Sequence, residues 1–299
     1  MKDSAWSWRT RWLRLAAAAA ASVLLVAAGC AQLAQKEREL VFRIEPGTAS
    51  WYDGLPRGVQ EFDIPLATAG GSAHLNAWWW PAARADAPAL LYLHGSRWNL
   101  TGQLFRIRQL HEFGFSVLAV DYRGFGKSKG ELPSEDSVYE DAQAAWQQLV
   151  RLQPDARRRY VYGHSLGGAV AVELAHRLSR NRHDSDVPDA AGLIVESSFT
   201  TLGDVAEVVV DTRWPIRWLL SQKFDSVYKI AGVGMPVLLV HGTDDRYVPA
   251  RFSEALYAAA AAPKKLLLIP GGTHNNSMRR GSADYRKALR ELFGLPGDA

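Results

Sequence analysis

The chain has 299 residues, of which 47% are hydrophobic and 22% charged, which excludes a disordered chain and suffices for one large core. Its single cysteine excludes an intrachain disulfide and any zinc site built on several thiolates. The formal charge is +4, but Lys2, Arg9, Arg11 and Arg14 against Asp3 put +3 of that in residues 1–29, so the remainder is nearly neutral and gives no case for nucleic acid as a partner.

Residues 1–29 read as a secretory signal: a basic stretch to Arg14, an apolar run from Leu15 to Ala28, then Gly29. That run is shorter than the roughly 20 residues of a spanning helix. Ala27-Ala28-Gly29 directly before Cys30 resembles a bacterial lipobox, although Ala27 stands where leucine is usual. The resemblance implies cleavage before Cys30 and acylation of that residue. Ala31, in the place where aspartate would retain the protein at the inner membrane, implies outer-membrane sorting. Several acyl chains hold a protein on a bilayer far better than one. Two other readings stand beside this one. They are an uncleaved anchor helix running through Cys30 toward Ala34, and a plain signal with a chance cysteine. Residues 30–58 are expected to be a tether and N-terminal segment, with Gln32–Arg38 as the polar tether. Residues 59–299 are expected to form one domain.

Val59–Ala67 and His74–Trp80 flank Gly70-Gly71 and predict a hairpin. Beyond Pro88 the runs Ala89–Leu93, Phe115–Val120, Tyr160–Tyr162, Gly192–Val195, Val237–Val240 and Leu266–Ile269 are short and apolar throughout, as strands buried on both faces of a parallel sheet are. Helical patterns alternate with them at Leu104–Phe113, Ser137–Leu152, Gly168–Leu178, Ser253–Ala261 and Ala283–Phe293. The fold class is therefore α/β. Arg180–Asp189 is polar. His183, Asp184 and Asp186 in it read as a solvated loop rather than a metal site, and neither a metal nor an organic cofactor is expected.

Gly163-His164-Ser165-Leu166-Gly167 joins the buried strand at Tyr160 to a helix rich in small residues. A G-x-S-x-G in that setting is a nucleophile elbow, a sharp turn that lifts the serine hydroxyl above the sheet. The helix start behind it favours negative charge. A serine needs a base, and the base needs an orienting acid. His274 follows the run Leu266–Ile269 and is the expected base. His241 reads as part of the turn before the acid, and His164 cannot easily curl back onto its neighbour. Asp244 and Asp245 compete for the acid after Val240, with Glu196 as the outside candidate. Two backbone donors must meet the oxyanion. One is expected from Leu166, and the other from the loop His94-Gly95-Ser96.

Taken together, these residues resemble the α/β-hydrolase superfamily, in its compact branch near the serine aminopeptidases, monoacylglycerol lipases and membrane-anchored depalmitoylases. The resemblance covers roughly Val59–Phe293. It rests on His94-Gly95-Ser96, Asp121-Tyr122-Arg123-Gly124-Phe125-Gly126-Lys127-Ser128, Gly163–Gly167, His241–Pro249 and Gly272-Thr273-His274. It implies a mostly parallel central sheet with helices on both faces, and an N-terminal β-hairpin. It implies a triad of Ser165, Asp245 and His274, since its His-Gly-x-x-Asp-x-x-Val-Pro pattern falls on Asp245. It further implies an oxyanion hole from the backbone of Ser96 and Leu166, with Asp121 and Arg123 structural. The family often inserts a cap between Ser197 and Lys229. Here that interval is short, with the apolar run Trp214–Leu220 as either the wall of an acyl pocket or a packing helix. The expected activity is ester or thioester hydrolysis through an acyl-serine, on a bacterial membrane. A peptidase would need an acidic clamp for the substrate amine, and no such carboxylate cluster is read in the short interval; a non-enzymatic binding module would be free to lose members of the triad.

Overall fold

The structure is a computed structural model and describes residues 3–68, 71–180, 189–210 and 216–295. The eight strands are β1 (Gln60–Thr68), β2 (Gly71–Trp80), β3 (Ala89–Leu93), β4 (Ser116–Val120), β5 (Arg159–His164), β6 (Gly192–Glu196), β7 (Val237–Gly242) and β8 (Lys264–Ile269). They form one sheet in the order β1-β2-β4-β3-β5-β6-β7-β8. β1 pairs antiparallel with β2 from Gln60↔Trp79 to Thr68↔Gly71, and β2 pairs antiparallel with β4. Every other pairing is parallel.

The described helices are α1 (Asp3–Phe42), α2 (Leu100–Glu112), α3 (Glu135–Leu152), α4 (Leu166–Arg180), α5 (Leu202–Val210), α6 (Ser226–Ile230), α7 (Arg251–Ala259), α8 (Ser277–Arg280) and α9 (Ser282–Phe293). Side chains alternate across the sheet, as a period of two requires. In β3, Leu91 and Leu93 join the core shared with α3 and α4, while Leu90 and Tyr92 join the core shared with α2 and α9. α2 starts where Asn99 accepts the Thr101 N–H at 3.0 Å, and α3 starts on a capping box between Ser134 and Ser137. Because the parallel strands all run one way, the loops after β3, β5, β6, β7 and β8 gather at one edge of the sheet, where such folds place their sites.

Two expectations about the N-terminal part change. Gln32–Arg38 is not a free tether but the last turns of α1, which runs unbroken past the exposed Cys30 to Phe42. Glu37 accepts hydrogen bonds from the Ser221 N–H (2.8 Å), the Ser221 hydroxyl (2.7 Å) and the Gln222 N–H (2.8 Å). Phe42 is fully buried and meets Phe125 and Phe224 edge-on. The segment's polar residues conceal this docking because one carboxylate satisfies a loop's backbone while the apolar residues beside it enter the core. The helix is also longer than its apolar run implies. Trp12–Phe42 is long and apolar enough to cross a membrane, with a mean hydropathy of 1.9 in its most apolar stretch, a property that signal sequences share.

Candidate active site

Ser165 sits between the last residue of β5 and the first of α4 with φ +56°, a left-handed conformation that costs a residue with a Cβ on the order of 1–3 kcal/mol. Its surroundings hold it there. The Ser165 N–H donates to Glu196 O at 2.9 Å, and its carbonyl accepts from the Gly168 N–H (2.9 Å) and the Ser198 hydroxyl (2.8 Å). The glycines on either side are sterically required. A Cβ on Gly163 would lie 2.0 Å from Gly167 O, and one on Gly167 would lie 2.2 Å from Leu93 O.

The two competing aspartates separate clearly. Asp245 is buried and Asp244 exposed. Asp245 Oδ2 lies 2.7 Å from His274 Nδ1, while its Oδ1 accepts the Tyr247 and Val248 N–H groups at 3.0 and 2.9 Å. Burial works to raise the Asp245 pKa, but hydrogen bonds from His241, His274 and the Val248 N–H outweigh it and hold the carboxyl well below the usual range. Asp244 offers its carboxylate only to the Thr243 hydroxyl, at 3.2 Å. His241 builds the turn: its Nδ1 lies 2.6 Å from Ser253 Oγ and its Nε2 2.8 Å from Val248 O. Glu196, fully buried, faces away from this pair, toward the hydroxyls of Tyr162 (2.8 Å) and Ser277 (2.8 Å).

His274 lies against the elbow, its ring centroid 4.8 Å from that of His164, but Ser165 Oγ is not hydrogen-bonded to it among the described residues. Nucleophile–base hydrogen bonds are often long without substrate and tighten when it binds. The β3 loop closes the other side: a Cβ on Gly95 would lie 3.1 Å from Ser165 Cβ. Neither the Ser96 nor the Leu166 N–H is taken by a hydrogen bond among the described residues, so both remain available to an oxyanion. Asp121 and Arg123 are structural. Asp121 accepts the Leu100 N–H at the start of α2 (2.8 Å), and Arg123 grips Asp141.

Trp214 and Pro215 lie outside the described residues, as do His183, Asp184 and Asp186. Trp218 and Leu219 are 82% and 85% exposed. In the same interval α5 supplies Asp204, Glu207 and Val208 to a cavity of about 480 Å³ shared with Arg251 and Phe252. Contrary to the expectation of no carboxylate cluster in this interval, two carboxylates stand one turn apart on α5, which only the helix brings to one face. Arg217 pairs with both, at 2.8 Å to Asp204 and 3.1 Å to Glu207.

A protein-family model described as serine aminopeptidase, S33 matches residues 87–228. The uncharacterised protein Rv2307c of Mycobacterium tuberculosis is 36% identical over 86% of this chain and 87% of its own length. The α/β hydrolase domain-containing protein WAV2 of Arabidopsis thaliana is 30% identical over 88% of this chain and 89% of its own. The chain belongs to the α/β-hydrolase family. Among solved structures, the Pyrococcus furiosus esterase Pf2001 superposes with a TM-score of 0.62 at 19% identity, covering 84% of this chain and 99% of that one, a likeness of fold.

One part of this hydrolase's site was not anticipated. Arg106 of α2 is almost wholly buried (1% exposed). Its Nη2 donates to His274 O at 3.2 Å and lies 3.0 Å from His164 Nε2, and its Nε stands 3.7 Å from Glu196 Oε1. His164 Nε2 is in turn 2.9 Å from His274 O. Burial, with Arg106 and His274 beside it, pushes the His164 pKa well below its ordinary value, so that ring is neutral. Arg106 and Glu196 thus clamp the loop that carries His274. In the sequence Arg106 differs little from Arg108 of the same helix, which is half-exposed.

Proposed function

We propose that this α/β hydrolase cleaves carboxylic esters or thioesters through an acyl-serine intermediate. The observation that carries the proposal is a strained serine at a strand–helix elbow beside a histidine that a buried carboxylate engages at 2.7 Å. In the first half-reaction Ser165 Oγ attacks the carbonyl carbon and passes its proton to His274 Nε2. Asp245 keeps the other ring proton on Nδ1 and stabilises the imidazolium. The developing oxyanion takes the N–H groups of Ser96 and Leu166. Collapse expels the alcohol or thiol, protonated by His274. Water, deprotonated by the same base, then releases the acid and regenerates Ser165.

Ester rather than peptide cleavage is favoured because Asp204 and Glu207 are both paired with Arg217, leaving no free carboxylate pair among the described residues of that interval to hold a substrate amine. A relative named lysophosphatidylserine lipase ABHD12, from Danio rerio, is 32% identical over 61% of this chain and half of its own length. It supports an acyl ester as the bond cleaved. Labelling by a fluorophosphonate, together with hydrolysis of p-nitrophenyl esters of graded chain length, tests the proposal. Both should vanish in Ser165→Ala with the protein still folded. Retained labelling would place the nucleophile elsewhere.

The membrane is the proposed workplace. In the first reading the chain is exported, cut before Cys30, acylated there and sorted to the outer membrane. Residues 1–29 are then a lipoprotein signal, and 59–299 the hydrolase domain. A second reading, in which the helix stays as an anchor, fits the unbroken α1 through Cys30 equally well. Either form retains Glu37 and Phe42 and their docking.

A further inference from the structure

We infer that the segment Phe42–Trp51 is a positioning element of the active site, a strap that holds the oxyanion loop from outside and joins it to the N-terminal helix. The inference rests on the assignment of Ser96 as an oxyanion donor. Arg97, the next residue, has φ +86° although it is not glycine. Such a conformation persists only where the surroundings over-determine it, and here those surroundings are the strap. The Arg97 N–H donates to Phe42 O at 2.8 Å, and the Arg97 carbonyl accepts the Glu45 N–H at 2.8 Å. Its Nε donates to Glu45 Oε1 at 3.0 Å. The fit continues along the chain. Asn99 Nδ2 donates to Gly47 O (2.7 Å), the Ala49 N–H to Thr101 Oγ1 (3.0 Å), and Trp51 packs edge-on against Trp98 with centroids 5.0 Å apart.

The strap is itself anchored. Phe42 is buried against Phe125, and Phe125 meets the His94 ring edge-on at 4.8 Å. His94 precedes Gly95, which abuts Ser165 Cβ. Neither the strap nor α1 provides a group that touches substrate. Their contribution is to fix the peptide that aims the Ser96 N–H, an interaction strongest in the transition state. Slackening the strap should therefore lower kcat with little change in KM.

The test uses the full-length chain and a p-nitrophenyl ester. Glu45→Pro deletes the N–H that holds Arg97 O. It should lower kcat at least tenfold, with KM within about threefold and slowed fluorophosphonate labelling. Glu45→Gln keeps the N–H and a side-chain acceptor, so it should stay within about twofold of wild type. Wild-type kcat in Glu45→Pro, a loss confined to KM, or an equal loss in Glu45→Gln would overturn the inference. Should Glu45→Pro not fold, Glu45→Ala and Arg97→Ala carry the test. Each should lower kcat two- to fivefold, and the double variant no further, because both cut one interaction. Unchanged or additive kcat would overturn it. Ser165→Ala in the same assay separates the two levels. If it stays active, the proposed mechanism falls. If it is dead while every strap variant matches wild type, only the strap falls.

Discussion

The paired aspartates allow the sharpest perturbation of the site, since Asp244→Asn and Asp245→Asn change the same atoms one residue apart. In Asp245→Asn, Oδ1 can keep the Tyr247 and Val248 N–H groups that it now holds at 3.0 and 2.9 Å, so the turn should survive. The amide NH₂ then faces His274 Nδ1, where Oδ2 now sits at 2.7 Å. A donor there forces Nδ1 to accept, which puts the ring proton on Nε2 and leaves no base toward Ser165. Loss of the same acid contact costs about 10⁴ in kcat in a well-studied serine protease, roughly 5.4 kcal/mol of barrier. Asp245→Asn should approach that. Asp244→Asn should lose less than about tenfold, because Asp244 is exposed and the hydrogen bond it shares with the loop, N–H to Gly272 O at 2.8 Å, comes from its backbone. The assay is p-nitrophenyl ester hydrolysis at neutral pH, beside thermal unfolding of both variants. The pH dependence has a definite sign. The folded pKa of Asp245 is lowered, so its ionised form stabilises the fold above the unfolded value near 4, and that contribution is lost as pH falls through the folded value. The stability gap between wild type and Asp245→Asn should thus be widest at neutral pH and narrow in acid. Equal, mild losses of activity in both variants would refute the assignment, and the reverse ranking would put the motif one residue out of register.

Three further outcomes are expected. Intact mass of the membrane-extracted protein should show a mature N-terminus at Cys30 carrying acyl mass, both abolished in Cys30→Ala, whereas an intact Met1 end without added mass would select the retained anchor. Gly167→Ala would place its Cβ 2.2 Å from Leu93 O and 2.4 Å from His94 O, which are backbone atoms that cannot step aside, so it should destabilise by about 3 kcal/mol or more, seen as a loss of roughly 6–12 °C in Tm. Burial raises the Asp121 carboxyl to about 8. Its contribution to stability is complete below the unfolded value near 4 and lost as pH rises through the folded one, so Asp121→Asn should flatten the fall of Tm across that window.

Much of this arrangement was legible in the chain because steric need and burial leave marks on composition. The parallel strands read as unbroken apolar runs since both faces are covered, as in β3 and β4, every residue of which is buried. The elbow was legible because Gly163 and Gly167 stand where a Cβ would enter backbone atoms. Asp244 and Asp245 could be told apart only through the spacing to Val248-Pro249, because burial, which separates them in the structure, depends on a loop path that residue type does not encode. The docking of Gln32–Arg38 was hidden for a related reason. Glu37 looks solvated in sequence, and its value as an acceptor for Ser221 and Gln222 exists only once residues 184 or more positions away arrive beside it.

Glu196 is the rival to Asp245 for the proposed role of acid. It is the last residue of β6, at the sheet edge where the site lies, yet its oxygens are committed to Tyr162, Ser277 and Tyr285, with Arg106 as the counter-charge. A buried ion pair of this kind contributes little net stability against an apolar substitute, but removing one partner costs about 3–5 kcal/mol. Its effect on function comes through geometry. Ser277 follows His274 by three residues, and Arg106 also donates to His274 O. The two ends of the His274 loop are therefore fixed by one charge pair reaching from α2 and β6. In the proposed triad Asp245 then has only the ring to orient, because the backbone beneath that ring is already held.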